Sequence, residues 1–154
     1  MNHWYGADPV WWVPLEAAAR RRFRRDLSHR YLGDRLVYTV TALAVPADPP
    51  LVTVTITFWA RPLYPTYGQR PCNTPQVHAE VDAISPHRNG DRSLCLWYPL
   101  DPPDQCWTSE KGLLDLIEIV RRHLALERVW RLTGGTNGGV WTLPDAPHGF
   151  PDVA

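Results

Sequence analysis

The sequence predicts a single α+β domain, and the spacing of its apolar residues carries this prediction. Two stretches, one near the beginning of the chain and one after residue 108, have apolar residues at helical spacing. Between them lie segments that alternate with period two and are rich in β-branched residues, which is typical of strands. The chain has 154 residues, no internal repeat and no linker-like stretch, so we treat residues 1–154 as one domain.

The first helix is predicted from about Pro14 to Asp26, because proline is well tolerated at the first helical position. Its apolar residues fall near one face: Leu15, Ala18, Ala19, Phe23 and Leu27. Arginines take most of the remaining surface. Residues 1–13 precede this helix and contain three tryptophans. We expect them to form an irregular aromatic arm that docks onto the domain.

A β-hairpin is predicted from Leu36–Val45 and Leu51–Ala60, which are joined by a loop that contains three prolines. Residues 61–75 contain four prolines and are predicted to be irregular. A third strand is predicted at Gln76–Ala83, where alternate apolar residues share one face. The strands therefore occupy the middle of the chain, between the two helices.

Ser85–Pro103 is predicted to be a long loop, and loops longer than about 12–15 residues within a compact domain are usually functional. After it, Thr108 or Ser109 is expected to cap a second helix. The apolar stripe of this helix comprises Leu113, Ile117, Val120 and Leu124. Residues 133–154 are rich in glycine and proline and are predicted to form an extended tail.

Charge and cysteine content narrow the class of protein. Sixteen basic residues balance sixteen acidic ones, so no overall field attracts nucleic acid or an anionic membrane. No apolar run approaches the 18 or so residues that a membrane span needs, and the start lacks the order of a signal peptide. Three cysteines do not make a disulfide framework. We therefore expect a cytoplasmic protein that binds neither membranes nor nucleic acid.

The segment around Cys95 is the strongest candidate for a functional site. Cys95 lies between two leucines on a predicted extended segment, after the turn signal Asn89-Gly90. His87 and Asn89 are close enough in sequence for a turn to bring their side chains toward the sulfur. A thiolate nucleophile needs such a polar group to stabilise the oxyanion of a tetrahedral intermediate. The alternative is a buried, inert cysteine, which is what most free cysteines are.

Two other uses of the cysteines are weighed against simple packing. Cys72 and Cys106 could join Cys95 and a histidine at zinc, but no C-x-x-C or H-x-x-x-H pair anchors such a cluster. We therefore predict no metal site. Cys106 could instead form a reversible disulfide with Cys95, which would make the chain a thiol redox switch.

The order of these elements resembles the ubiquitin-conjugating enzymes over roughly residues 14–130. In that family an N-terminal helix, a four-stranded antiparallel meander and a proline-rich turn precede a His-Pro-Asn motif. An Ile-Cys-Leu-type catalytic segment, a tryptophan-containing loop and a helix then follow. The matching pieces after the strands are Ser85-Pro86-His87, Leu94-Cys95-Leu96 and Trp107-Thr108. Residues 86–99 resemble more closely a divergent bacterial branch that accompanies CBASS-type antiphage systems.

This resemblance implies a ubiquitin-conjugating-enzyme-like fold and a transferase that needs no cofactor. Cys95 would accept the C-terminal carboxyl of a protein partner as a thioester and pass it to an amine. The implied acyl donor is a cGAS/DncV-like nucleotidyltransferase or a ubiquitin-like protein, and an activating enzyme is a further implied partner. The first helix of the family binds partners through basic residues. The corresponding docking residues here are Arg21, Arg22 and Arg25. A catalytically inactive binding module of the same fold is the alternative.

The resemblance also implies roles for single residues. The family's oxyanion-stabilising asparagine stands eight residues before the cysteine, where this chain has His87, while Asn89 follows two residues later. Either side chain could donate the hydrogen bond. The family's motif histidine is replaced by Ser85. Asp101 is a candidate for steering an incoming lysine amine, although an aspartate in a DPPD turn ordinarily caps the turn.

Overall fold

The structure, a computed structural model, describes residues 4–46, 51–79, 85–98 and 100–141. These residues form two α-helices and one four-stranded antiparallel sheet, so the predicted α+β class is confirmed. In chain order the helices and strands are α1 (Pro9–Phe23), β1 (Leu27–Tyr31), β2 (Arg35–Leu43), β3 (Val52–Trp59), β4 (Gln76–Ala79) and α2 (Leu113–Leu132). Neither of these helices is both long and apolar enough to cross a membrane.

The first helix begins at Pro9 and not at Pro14, so the predicted arm of residues 1–13 is wrong from Pro9 onward. Asp8 is the N-cap residue and accepts a hydrogen bond from the Val10 amide at 2.9 Å. Pro9 then takes the first helical position, where its missing N–H costs nothing. Asp8-Pro9 is therefore the stronger start signal, and Pro14 lies inside the helix.

α1 ends at Phe23 rather than at the predicted Asp26. Arg24 adopts a φ of 51°, which lies outside the right-handed helical region and therefore ends the helix. A strand that the sequence did not predict, β1, follows a short 3-10 turn and pairs with β2. Only Leu27 among the residues of β1 is buried. The alternation of apolar residues that identifies a strand is therefore missing there, and pairing with β2 decides its conformation.

The four strands lie side by side in sequence order and form an antiparallel meander. The predicted hairpin is confirmed as β2 and β3, with Leu36 opposite Phe58. β4 confirms the first half of the third predicted strand and sets Val77 opposite Ile56 of β3. The second half of that prediction falls on residues 80–83, which lie outside the described residues.

One hydrophobic core joins the sheet to both helices. The predicted apolar stripe of α2 is buried, which confirms the helical spacing read from the sequence; its residues are Leu113, Ile117, Val120 and Leu124. Trp107, just before α2, is only 1% exposed. Its ring lies 5.9 Å from that of Phe58 in β3, and its Nε1 donates to the Gly112 carbonyl oxygen at 2.8 Å. The indole therefore holds the N-terminal end of α2 close to β3.

α2 begins after Gly112, so the expectation that Thr108 or Ser109 caps it is wrong. Residues 109–111 form a separate 3-10 turn, and the Ser109 amide donates to Asn73 Oδ1 at 2.9 Å. Gly112 has a φ of 85°, a left-handed conformation that glycine adopts without steric cost. The chain uses this glycine to turn from the tethered segment into the helix.

The cap of α1 gives a direct test of where that helix begins. Asp8→Ala should lower the free energy of unfolding by about 0.5–2 kcal/mol, because it removes the acceptor for the Val10 amide. Asp8→Asn should cost much less, since asparagine is an equally good N-cap. Urea unfolding of both variants measures the difference. Equal losses in the two variants would contradict the assigned cap.

Candidate functional site

A short hairpin holds Cys95 directly opposite His87. The Cys95 amide donates to the His87 carbonyl oxygen at 2.9 Å, and Arg88 and Leu94 form an antiparallel bridge. Side chains of residues that face each other in an antiparallel pair project to the same side, with Cβ atoms about 4.5–5.5 Å apart. The fold therefore brings together two of the four predicted catalytic residues, Cys95 and His87.

The hairpin is docked onto the end of the sheet through Leu94. The Leu94 amide donates to the Val77 carbonyl oxygen of β4 at 2.8 Å, and the Leu94 side chain is buried in the core. Residues 94 and 95 are thus extended, as predicted, with main-chain bonds on both sides. These hydrogen bonds restrict the backbone of Cys95 more than in an unsupported loop.

Asn89 belongs to the turn of the hairpin. Its Nδ2 donates to Ser93 Oγ at 2.9 Å, and its amide donates to the Ser93 carbonyl oxygen at 2.9 Å. Asp91 accepts from the Ser93 amide and hydroxyl, and Arg92 has a φ of 68°. The side-chain amide of Asn89 is therefore bound within the turn, whereas His87 lies opposite Cys95 in the hairpin.

Cys95 is nearly enclosed, with 7% of its surface exposed. Burial raises the pKa of its thiol to about 11. A thiol of this kind holds little thiolate at neutral pH, yet the thiolate it forms is strongly nucleophilic and is a poor leaving group. Little thiolate is therefore present to react with small electrophiles at neutral pH.

A buried carboxylate on α2, Glu127, holds the strand of the hairpin that carries His87. Glu127 has no exposed surface and accepts hydrogen bonds from Arg88 Nε at 2.6 Å and Arg88 Nη2 at 2.9 Å. Ser85 Oγ donates to Glu127 Oε1 at 2.9 Å. Burial by itself would raise the pKa of Glu127, but the Arg88 hydrogen bonds and the nearby His123 lower it to about 2. The carboxylate thus binds residues on both sides of His87.

The rings of His87, His123 and Trp141 pack against one another beside Glu127. The His87 ring centroid lies 4.1 Å from that of Trp141 and 6.3 Å from that of His123. Trp141 also lies 5.3 Å from the His123 ring. His123 Nε2 is 3.3 Å from Glu127 Oε1. The imidazole of His87 is therefore packed between the cysteine strand, α2 and the segment that follows α2.

Asp101 is placed in the turn after the cysteine segment. Its Oδ2 accepts from the Tyr98 amide at 3.3 Å, and its own amide donates to the Tyr98 carbonyl oxygen at 2.9 Å. Cys106 lies in the same turn, where its Sγ donates to the carbonyl oxygens of Tyr98 and Asp101. Both side chains thus stabilise the loop, and Cys72, Cys95 and Cys106 are all free thiols.

Of the predicted docking residues, Arg21 and Arg22 lie on α1, whereas Arg25 lies in the 3-10 turn that follows it. Arg21, Arg22 and Arg25 are exposed, and the Arg22 guanidinium lies 5.3 Å from the Phe23 ring centroid. Among the described residues, no group of three or more histidine, cysteine or acidic side chains is arranged to hold a metal ion.

Sequence reasoning missed Glu127 and Trp141. Glu127 follows Leu124 by three residues and continues the apolar stripe of α2, so a charged residue on a buried face was the available signal. Trp141 carried no such signal, and the predicted extended tail is wrong for its described part, residues 133–141, which turn back through hydrogen bonds such as that from the Gly139 amide to the Gly135 carbonyl oxygen.

Comparison of this chain with protein-family models, with curated proteins and with solved structures finds no match.

The buried pair predicts how stability depends on pH. The pKa of Glu127 in the folded protein lies below its ordinary value near 4.5. The stability it contributes is therefore present above pH 4.5 and is lost as pH falls toward 2. Glu127→Gln should lower the free energy of unfolding at pH 7 by about 3–5 kcal/mol, because Arg88 stays buried without its carboxylate. The variant should also lose less stability than the wild type as pH falls from 4.5 toward 2.

Urea unfolding from pH 7 to pH 2 measures this effect. Glu118→Gln is the matched control on the same helix, since Glu118 is 44% exposed and pairs with Arg121 on the surface. That change should cost less than about 1 kcal/mol. Equal costs for the two substitutions would show that the buried pair does not anchor the hairpin.

Proposed function

We propose that this chain is a ubiquitin-conjugating-enzyme-like acyl carrier and transferase that forms a thioester on Cys95. The observation that carries the proposal is the hairpin that sets Cys95 opposite His87, on an extended segment between the sheet and α2. The order of N-terminal helix, four-stranded meander, cysteine segment and helix is also the order of the family that the sequence resembles. We therefore infer a ubiquitin-conjugating-enzyme-like fold.

In the proposed reaction the carboxyl carbon of the donor's C-terminus forms a bond to Cys95 Sγ. The donor arrives as an activated ester or thioester, and its leaving group departs with the thiol proton as the new C–S bond forms. An amine then attacks the thioester, the C–S bond breaks, and the amine proton returns to the thiolate. This exchange needs no metal and no organic cofactor.

His87 is the proposed oxyanion donor. Its side chain projects to the same side of the hairpin as Cys95, and this arrangement supports it over Asn89, whose amide binds Ser93. Asp101 is less well supported as a residue that steers the amine, because its carboxylate binds the Tyr98 amide.

The raised pKa of Cys95 fits a carrier better than a hydrolase. A thiolate that leaves readily would lose the acyl group to water, whereas a thiol with a pKa of about 11 holds it longer. Reaction with a lysine amine then depends on the oxyanion donor and on the approach of the amine. The enclosed sulfur also keeps bulk water away from the thioester.

We propose that the acyl donor is the C-terminus of a cGAS/DncV-like nucleotidyltransferase in bacterial antiphage defence. This part of the proposal rests on the resemblance of residues 86–99 to a bacterial branch of the family. A ubiquitin-like protein is the other donor that the same chemistry accepts. The exposed residues Arg21 and Arg22 of α1, with Arg25 of the following 3-10 turn, are the proposed docking surface for an activating enzyme or another partner.

A protein-binding module of the same fold is the second candidate, and the burial of Cys95 favours it. A cysteine with 7% exposure and a raised pKa is also what an inert core thiol looks like. In that case the hairpin is only structural, and no adduct forms on the sulfur.

Mass spectrometry distinguishes the two candidates. The chain is co-expressed with the products of its neighbouring genes, and intact masses are recorded with and without thiol reductant. We expect a covalent adduct with the partner that thiols release. Cys95→Ala should abolish it, whereas Cys95→Ser should trap an ester that thiols do not release.

Cys72→Ala and Cys106→Ala are the matched controls, and both should keep the adduct. An adduct that survives Cys95→Ala would move the thioester to another residue. Absence of any adduct in the wild-type chain, with the complex still isolated intact, would favour the binding module.

The choice between His87 and Asn89 is tested by discharge of preformed thioester to free lysine in a single turnover. His87→Ala should slow discharge by roughly 10²–10³-fold, the usual cost of losing one oxyanion donor. Asn89→Ala should slow it by less, through the turn alone. A larger effect from Asn89→Ala would reverse the assignment.

A further inference from the structure

The segment after α2 folds back over the hairpin. At its end, Trp141 packs against the His87 ring at 4.1 Å between centroids, with the rings tilted by 44°, and contacts the His123 ring edge-on at 5.3 Å. His87 is only 6% exposed. Because His87 and Cys95 project to the same side of the hairpin, Trp141 covers the side on which the sulfur lies.

A glycine-rich turn delivers Trp141 to this position. The Gly139 amide donates to the Gly135 carbonyl oxygen at 2.8 Å, and the Val140 amide donates to Thr133 Oγ at 2.7 Å. A Cβ on Gly139 would lie inside van der Waals contact with the backbone of Gly135 and Trp130. The close return of the chain therefore requires glycine at that position.

The glycine-rich turn buries little surface, so we expect it to open at low free energy. Residues 133–141 are mostly at the surface, and the Val140 side chain is 51% exposed. Surface segments with solvent-exposed backbone hydrogen bonds open at low free energy, well before the core does. Trp141 is thus a large aromatic side chain on a short, glycine-rich segment, and it packs against His87, the residue opposite Cys95 in the hairpin.

We propose that residues 133–141 form a lid, with Trp141 as its contact surface, that closes over His87 and Cys95 and opens to expose them. The role of the open state, admission of an acyl donor, rests on the proposed function. The lid itself does not, since it concerns only access to the sulfur. The lid also reconciles a reactive role for Cys95 with its burial, because opening would return the pKa of the thiol toward its ordinary value.

The rate at which a small thiol reagent labels Cys95 tests the lid. The full chain is treated with dithiodipyridine at pH 8, and labelling at each cysteine is followed by peptide mapping. Trp141→Ala should accelerate labelling of Cys95 by at least about tenfold, the effect of a single unit of pKa on the thiolate fraction. Gly139→Ala should accelerate it as well, without removing any side chain from the lid.

Two internal controls separate local opening from loss of the fold. Val140→Ala changes an exposed side chain in the same segment and should label at the wild-type rate. Cys72, which is 3% exposed and lies in the 3-10 turn at Pro71–Asn73, should stay slow in every variant.

Unchanged labelling of Cys95 in Trp141→Ala would overturn the lid. A parallel rise at Cys72 would also overturn it, because Trp141 would then hold the whole domain. Faster labelling in a chain that never forms a thioester would overturn the proposed function and leave the lid standing.

Discussion

The geometry around Cys95 depends on one interaction, the buried ion pair between Glu127 and Arg88. A carboxylate without exposed surface is strongly unfavourable unless it is paired and fully hydrogen-bonded, and Arg88 supplies two of its hydrogen bonds. The pair joins α2 to the hairpin across 39 positions of sequence. Because Arg88 neighbours His87, whose carbonyl holds the Cys95 amide, the ion pair also fixes where the sulfur lies. A purely apolar contact would bury the same area without selecting this register.

The burial that secures the hairpin also sets the chemistry of the cysteine. Desolvation raises the pKa of the thiol, so little thiolate is present at neutral pH. In the proposed thioester, the same high pKa makes the thiolate a poor leaving group, so the bound acyl group is lost slowly. Enclosure also restricts access to the sulfur, and in the proposed lid this access depends on Trp141, which packs against His87.

Ser85 and Arg88 bind the same buried carboxylate from opposite sides of His87. Ser85 donates to Glu127 Oε1, so the segment before the cysteine is tied to α2 by a hydroxyl and a guanidinium. His87 therefore lies between two residues whose side chains bind a carboxylate of α2.

The sequence by itself determined the α+β class, the central hairpin, the buried stripe of α2 and the extended cysteine segment, because each follows from local periodicity. The prediction from sequence placed the start of α1 at Pro14 instead of Asp8-Pro9. It also omitted β1, in which only Leu27 is buried. Only the tertiary structure decided that His87 rather than Asn89 faces Cys95, that Glu127 anchors the hairpin, and that Trp141 covers it. These facts depend on pairing register and on contacts between residues far apart in sequence, and the composition of a local segment contains neither.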